Sequence, residues 1–213
     1  PGPRPPRVAP RGWWGRAAGL GVSIVALGLI RAPNEGRRSI RDGPADLVMR
    51  ARPLIPDPAW PVKAEQGREA EIRYCVSCNT CWHMITSGRG LLCDNNPRVG
   101  ESDEADWTPP IAQNPKRVAV IGAGVAGMEA GWVAAARGHM VCIFGASEQP
   151  GGKTKLHAAL PGRAGLSSIS AYQPLAARRH GADMRLGSPT PRAHNPPFHQ
   201  EAATLAAGAT AAP

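Results

Sequence analysis

The feature that most constrains this chain is a group of four cysteines within nineteen residues, spaced C-x2-C-x2-C-x11-C. Two successive two-residue gaps let one tight loop present three thiolates, and a fourth can arrive from further along the chain. A [4Fe–4S] cluster needs one thiolate for each iron, so this spacing favours such a cluster. The predicted ligands are Cys75, Cys78, Cys81 and Cys93.

Two other uses of these cysteines stay open. A four-cysteine zinc site usually pairs two well-separated C-x2-C knuckles, and a disulfide framework needs an oxidising compartment. Three cysteines in seven residues fit neither pattern well.

Composition limits how much of the chain can form a packed core. The 213 residues include 23 Pro and 25 Gly but only two Phe and two Tyr. Such a composition is typical of chains that contain disordered segments. We expect disorder in residues 1–35 and in a tail over residues 175–213.

The net charge of +9 does not by itself indicate a nucleic-acid partner, because Lys and Arg do not cluster with a recognisable binding module. We therefore expect no nucleic-acid partner.

The apolar run over residues 17–30 is too short to span a bilayer, and no small-residue cleavage site follows it. A strand over residues 22–27, or no structure at all, is favoured over a targeting segment. We expect a cytoplasmic protein without a membrane partner.

A helix–strand succession precedes the cysteines, with a short helix over residues 37–43 and a strand over residues 45–49. Arg52 comes just past the carboxyl end of that strand, where parallel α/β barrels bind ligands and often phosphate groups. A guanidinium can pair two phosphate oxygens at once, so Arg52 is a candidate phosphate ligand. A solvated surface arginine is the alternative. A polar helix over residues 62–73 then leads to the first cysteine.

A glycine-rich turn follows the buried-strand pattern of residues 116–121. Gly122 permits a tight turn, Gly124 lets the backbone approach a pyrophosphate, and Gly127 lets helix and strand pack closely. A helix over residues 128–136 and a second strand over residues 140–144 complete the pattern. A G-x-G-x-x-G between a strand and a helix predicts a nucleotide site, whereas a glycine turn without a ligand is the alternative.

The second strand lacks the Asp or Glu that usually bonds the ribose, because Gly145 takes that place. Glu148 and its neighbour Ser147 are candidate substitutes. Gly151 and Gly152 form a second glycine pair where a nucleotide phosphate or flavin could pass. The expected ligand is an adenine nucleotide, and Cys142 within the strand is expected to be a core residue.

Several of these motifs together resemble one family. They are residues 45–58, the cysteine spacing, the sequence Cys-Asp-Asn-Asn-Pro from Cys93 onward, the Val-Ile-Gly-Ala-Gly turn and the second glycine pair. In combination they resemble the iron–sulfur branch of the NADH:flavin oxidoreductase, or old-yellow-enzyme, superfamily. That branch includes trimethylamine dehydrogenase, 2,4-dienoyl-CoA reductase and N-demethylases. The gap between Cys78 and Cys81 is closer to the amine-dehydrogenase type.

The resemblance implies an α/β fold in three parts. They are the C-terminal end of an FMN-binding TIM barrel over residues 36–68, an irregular iron–sulfur segment with its connector over residues 69–110, and the first half of a Rossmann-type domain for FAD or ADP over residues 115–174. It also implies that Arg52 holds the FMN phosphate, that the four cysteines hold the [4Fe–4S] cluster, and that NAD(P)H is a further candidate ligand.

Nearly all of the barrel is absent, so no catalytic residue can be named. Both ends differ from the family and are rich in Arg, Pro and Ala, which predicts a fragment of a larger enzyme that is inactive by itself. In that enzyme we expect a small-molecule substrate and an electron-transfer partner. A non-catalytic metal- and nucleotide-binding module is the alternative function.

Overall fold

The computed structural model describes residues 21–28, 30–42, 45–187 and 202–206. The chain divides into two compact units, residues 1–106 and residues 107–213. The disorder predicted for residues 1–20, 188–201 and 207–213 lies outside the described residues.

Unit 1 begins with a small parallel sheet. Strand β1 (Val25–Leu27) pairs with β2 (Leu47–Met49), and helix α1 (Pro33–Arg41) lies between them in sequence. The disorder predicted for residues 1–35 is therefore wrong at the C-terminal end of that range. Residues of β1 are ordered because β2 supplies partners for their backbone hydrogen bonds and because the side chain of Ala26 is buried in the interior of the unit.

The rest of unit 1 consists of short helices joined by turns. Helix α2 (Trp60–Glu65) is followed by a 3₁₀ helix (Glu69–Glu71), and helix α3 (Thr80–Thr86) comes after a loop. The single helix predicted over residues 62–73 is wrong, because Gly67 adopts a left-handed φ of 71° that ends the first helix.

Unit 2 is built on a four-stranded parallel sheet. Its strands are β3 (Arg117–Ile121), β4 (Met140–Gly145), β5 (Asp183–Leu186) and β6 (Ala202–Leu205), in the spatial order β5-β4-β3-β6. Strand β3, the first of the unit in sequence, therefore lies between β4 and β6. The chain adds β4 and β5 on one side of β3 and then crosses over to place β6 on the other side. Ligands of open parallel sheets bind at such a switch point, beyond the carboxyl ends of the strands.

Three helices accompany this sheet: α4 (Val125–Ala136), α5 (Lys153–Ala158) and α6 (Ser167–Arg179). The core between α4, α6 and the sheet is apolar. The ring of Trp132 lies at its centre, edge-on to Trp107 at 5.9 Å and to Tyr172 at 6.3 Å. The other buried members include Val120, Met128, Val141, Ile143 and Ala177. Cys142 is fully buried in β4, as expected of a core residue.

The tail predicted to be disordered from residue 175 is ordered in its described parts. Helix α6 continues through Pro174 to Arg179, and β5 and β6 follow. Pro174 removes one backbone donor, but the helix buries Ala176 and Ala177 in the core beside α4, and the buried Gln173 donates to the carbonyl of Val125. Tertiary packing thus outweighs local propensity. Two of the four described strands of unit 2, β5 and β6, thus lie beyond residue 174, where the predicted first half of a Rossmann-type domain ends.

Among the described residues, no helix is both long enough and apolar enough to cross a membrane.

His180 makes the stability of unit 2 depend on pH. Its ring lies 6.2 Å from that of Trp132. Burial, and then the positive charge of Arg179, lower the pKa of His180 below its ordinary value of 6.5. The unfolded chain therefore takes up this proton at a higher pH than the folded chain.

We predict that the free energy of unfolding of unit 2 rises as the pH rises toward about 6.5 and then levels off, because protonation of His180 favours the unfolded state and is lost over this range. The substitution His180→Gln should reduce this slope. Trp132 fluorescence during urea titration at several pH values measures it, and an unchanged slope in the variant would contradict the assignment.

Candidate functional site

The four cysteines of the C-x2-C-x2-C-x11-C pattern line one cavity in unit 1. All four are free thiols, and Cys78 is exposed whereas the other three are partly buried. The structure thus brings together the four side chains that the sequence predicts as ligands. The cavity is completed by Arg52, Ile55, Pro56, Val76, Ser77 and Asn79.

Left-handed backbone shapes the loop that carries the first three cysteines. Ser77 (φ 58°) and Asn79 (φ 65°) flank Cys78 on either side. Non-glycine residues adopt this conformation at a cost of about 1–2 kcal/mol, so the surrounding structure must hold it. Asn79 then begins α3, which places Cys81 in the first turn of that helix.

The segment after Cys93 is tied to this loop by side chains. The hydroxyl of Thr80 donates to Asp94 Oδ2 at 2.9 Å, and the amide Nδ2 of Asn95 donates to the carbonyl of Tyr74 at 2.9 Å. These two bonds connect the residues next to Cys93 with residues next to Cys81 and Cys75.

Asn96 extends the same support in another direction. Its Nδ2 donates to the carbonyl of Ile55 at 2.9 Å, and its Oδ1 accepts from the backbone N–H of Arg98. Asn95 and Asn96 are both buried. The motif Cys-Asp-Asn-Asn-Pro indicated the family resemblance but not this supporting role, for which the two consecutive asparagines after Cys93 and Asp94 were a signal.

Burial raises the pKa of the Cys93 thiol to about 11. The backbone N–H groups of Asn95 and Asn96 act in the opposite direction, and the nearby Cys78 and Cys75 add to the increase. A thiol in this place keeps its proton at neutral pH unless a metal displaces it.

Among the described residues, no group of three or more His, Cys, Asp or Glu side chains is arranged to hold a metal ion. A tetrahedral zinc site would need four sulfurs about 2.3 Å from one point. Four free thiols that line one cavity are a donor set that either a zinc ion or an iron–sulfur cluster can use.

A buried ion pair holds the chain that enters the cysteine loop. Asp57 Oδ2 accepts from Lys63 Nζ at 2.9 Å and from the backbone N–H of Arg73 at 3.0 Å. The side chains of Asp57 and Lys63 are only 3% and 7% exposed. Lys63 also lies 3.2 Å from Asp106, which extends the network toward the surface.

A second cavity, of about 210 Å³, lies at the carboxyl ends of β1 and β2. Arg52, Cys75 and Ser77 line both this cavity and the cysteine cavity. The Nη1 of Arg52 donates to Asn79 Oδ1 at 2.7 Å, which leaves its other N–H groups for a ligand.

Arg50, two residues earlier, has a different role. Its guanidinium lies 3.6 Å from the centre of the Trp60 ring and donates to the carbonyls of Arg31 and Ala32. A Cβ on Gly36 would lie 2.6 Å from one of its nitrogens. Arg50 also lines the cavity of about 210 Å³, but Trp60 and two carbonyls already engage its guanidinium, so Arg52 is the better placed of the two for an anion.

The first glycine turn of unit 2 has the steric properties that the sequence predicts. Gly122 adopts a φ of 115°, and a Cβ on Gly127 would lie 1.8 Å from the carbonyl oxygen of Gly122. A Cβ on Gly124 would meet nothing within 4 Å. The space beside Gly124 is therefore open, at the start of α4 and the end of β3.

The second glycine pair packs against the first turn. The N–H of Gly151 donates to the carbonyl of Ala123 at 2.8 Å, and a Cβ on Gly152 would lie 3.0 Å from the Cα of Gly124. Gly151 and Gly152 both have positive φ, of 110° and 55°. The two turns thus form one backbone surface at this end of the sheet.

The end of β4 has no room for a side chain at Gly145. A Cβ there would lie 2.8 Å from both Ala123 Cβ and Leu186 Cδ2. Glu148 is exposed and lies beside Gly187, just beyond β5. A carboxylate at this edge of the sheet can therefore come from Glu148 but not from the usual position.

No protein-family model matches this chain. NADH oxidase of Thermoanaerobacter brockii is 36% identical over 172 residues, which are 79% of this chain and 26% of that protein. N,N-dimethylglycine/sarcosine dehydrogenase of Chromohalobacter salexigens is 34% identical over 193 residues, 89% of this chain and 28% of that protein. The structure of 6-hydroxypseudooxynicotine amine oxidase from Pseudomonas geniculata N1 is 30% identical, with a TM-score of 0.79 over 88% of this chain and 29% of its own.

The chain spans about a quarter of the length of the curated relatives it matches. These relatives are oxidoreductases, and the structural likeness extends over most of this α/β chain. The chain belongs to the NADH:flavin oxidoreductase, or old-yellow-enzyme, superfamily, which confirms the family predicted from the sequence.

We predict that Lys63→Met destabilises unit 1 by about 3–5 kcal/mol, because Asp57 would stay buried without its cation. Amide hydrogen exchange of residues 57–96 measures the loss. The matched control is Arg37→Gln in the Arg37–Glu69 pair, whose side chains are 61% and 36% exposed. Removing that surface pair should cost less than about 1 kcal/mol, and equal effects in the two variants would contradict the prediction.

Proposed function

We propose that this chain is the cofactor-binding segment of a flavin- and iron–sulfur-dependent oxidoreductase of the iron–sulfur branch. One observation supports this most directly. The cysteine cavity and the cavity at the strand ends share Arg52, Cys75 and Ser77 in their walls. A cluster and a flavin bound in these two cavities would be neighbours within unit 1.

Cys75, Cys78, Cys81 and Cys93 would hold the [4Fe–4S] cluster. The residues around them supply what such a group needs, namely free thiols in one cavity and backbone N–H groups directed at Cys93. The buried amides of Asn95 and Asn96 would keep these ligands in place when the cluster is absent.

Arg52 would bind the phosphate of FMN. The parallel β1 and β2 with α1 between them fit the C-terminal end of a TIM barrel, where phosphate sites lie beyond the last strands. The donors of Arg52 that Asn79 does not occupy can pair phosphate oxygens.

Unit 2 would be a Rossmann-type domain that binds FAD or ADP, with NAD(P)H as a further candidate. Its strand order corresponds to the first four strands of the doubly wound fold. Gly124 would face the pyrophosphate, and Gly151 and Gly152 would extend that surface. Glu148 would take the ribose-binding role that Gly145 cannot fill.

When bound, flavin and cluster would supply two-electron hydride chemistry and one-electron transfer respectively. The chain's own part is to hold these groups, orient them and exclude water. The complete enzyme would act on a small-molecule substrate and would exchange electrons with a redox protein. It would do so in the cytoplasm. By itself this chain should show no turnover with NADH or amines.

We predict that anaerobic reconstitution with iron and sulfide gives a broad visible absorption that dithionite bleaches. The substitution Cys93→Ser should remove most of it, whereas Cys142→Ser should not, because Cys142 lies in the core of unit 2. One colourless zinc per chain would refute the cluster. Turnover with NADH would refute inactivity and would also exclude the non-catalytic module.

We predict that Gly124→Ala and Gly127→Ala separate binding from folding. Gly124→Ala should change stability by less than about 1 kcal/mol, since its Cβ meets open space. It should weaken ADP binding by about tenfold or more. Gly127→Ala should destabilise unit 2 by at least about 1–3 kcal/mol through overlap with Gly122. Calorimetric titration with ADP and thermal unfolding measure both, and unchanged ADP affinity in Gly124→Ala would contradict the nucleotide site.

A further inference from the structure

We propose that Asn79 is a positioning residue that couples the cysteine cavity to anion binding at Arg52. The inference rests on the proposed function and deepens it. Asn79 lies between Cys78 and Cys81, and its Oδ1 accepts from Arg52 Nη1 at 2.7 Å. One side chain of the cysteine loop thus fixes the orientation of the arginine that faces the other cavity.

The backbone of Asn79 ties this contact to the loop that carries the cysteines. Its φ of 65° is left-handed, a conformation that asparagine tolerates better than most residues. Its carbonyl accepts from the N–H of His83 at 3.0 Å and so begins α3, which carries Cys81. A cluster bound to Cys78 and Cys81, on either side of Asn79, would further restrict the loop and so hold Asn79, and hence Arg52, in the arrangement already present.

Arg52 has N–H donors that Asn79 does not occupy and that can bind an anion. A guanidinium carries five N–H groups, and Asn79 accepts from Nη1 alone. The remaining donors can pair a phosphate group, free or part of a flavin nucleotide. Because the amide of Asn79 is neutral, it orients the guanidinium without cancelling the charge that attracts the anion.

Coupling between two sites is reciprocal in free energy. Cluster loading should therefore raise the affinity of Arg52 for phosphate, and bound phosphate should raise the affinity of the chain for the cluster by the same factor. We expect loading to increase inorganic phosphate affinity by about fivefold, the lower end of typical coupling between sites.

The experiment compares phosphate affinity in the metal-free and the reconstituted full chain by ³¹P NMR titration. The decisive variant is Asn79→Gly, which keeps the left-handed backbone and removes the amide. It should take up the cluster, as judged by visible absorption, but lose the increase in phosphate affinity. The matched control is Asn114→Gly, which removes an exposed asparagine that lines neither cavity and should keep the increase.

A second variant covers the case in which Asn79→Gly fails to load. Asn79→Asp keeps an acceptor for Arg52 but adds a carboxylate that competes with phosphate, so its loaded form should bind phosphate more weakly than wild type. Parallel titrations with FMN and riboflavin distinguish a flavin phosphate from free phosphate, since riboflavin lacks the anion.

The outcomes separate this inference from the proposed function. No visible absorption in the reconstituted wild type would overturn both. If loading raised phosphate affinity as much in Asn79→Gly as in wild type, only the role of Asn79 would be overturned. If loaded Asn79→Asp bound phosphate as tightly as loaded wild type, the role of Asn79 would likewise be overturned.

Discussion

The buried Asp57–Lys63 ion pair is the interaction on which unit 1 depends. One carboxylate oxygen bonds both the ammonium of Lys63 and the backbone N–H of Arg73, so a single point joins α2 to the chain that enters the cysteine loop. Buried charges are tolerated only when they are paired and hydrogen-bonded. The apolar core of this unit is small, and the amides of Asn95 and Asn96 add to its polar framework. The cysteines are therefore positioned mainly by directional bonds.

Unit 2 is held together in a different way. Its helices bury Met128, Trp132 and Ala177 against Val141 and Ile143, and glycines allow the backbone to come close at the end of the sheet. Apolar packing is non-directional, so it determines that the layers associate but not how the turns are shaped. The glycine positions provide that shape, which explains why the same few residues matter for folding and for the proposed nucleotide site.

Sequence reasoning succeeded where local chemistry determines structure. The cysteine spacing and the strand–glycine–helix pattern each depend on residues close in the chain. The four cysteines line one cavity, and the glycine turn joins β3 to α4. Sequence reasoning failed where long-range packing decides. Nothing local shows that α6 continues through Pro174 or that β6 joins the edge of β3, because these depend on surfaces distant in sequence. The Asp57–Lys63 pair was missed because two opposite charges six residues apart follow no recognisable period.

Gly145 has a consequence for how the proposed nucleotide site could be altered by mutation. A Cβ at this position would lie 2.8 Å from Ala123 on one side and from Leu186 on the other. An Asp or Glu at position 145 would therefore overlap both neighbours, and Ala123 has no flexible side chain that could move aside. A carboxylate for the proposed ribose contact is sterically easier to vary in the exposed loop that carries Glu148 than in the strand itself.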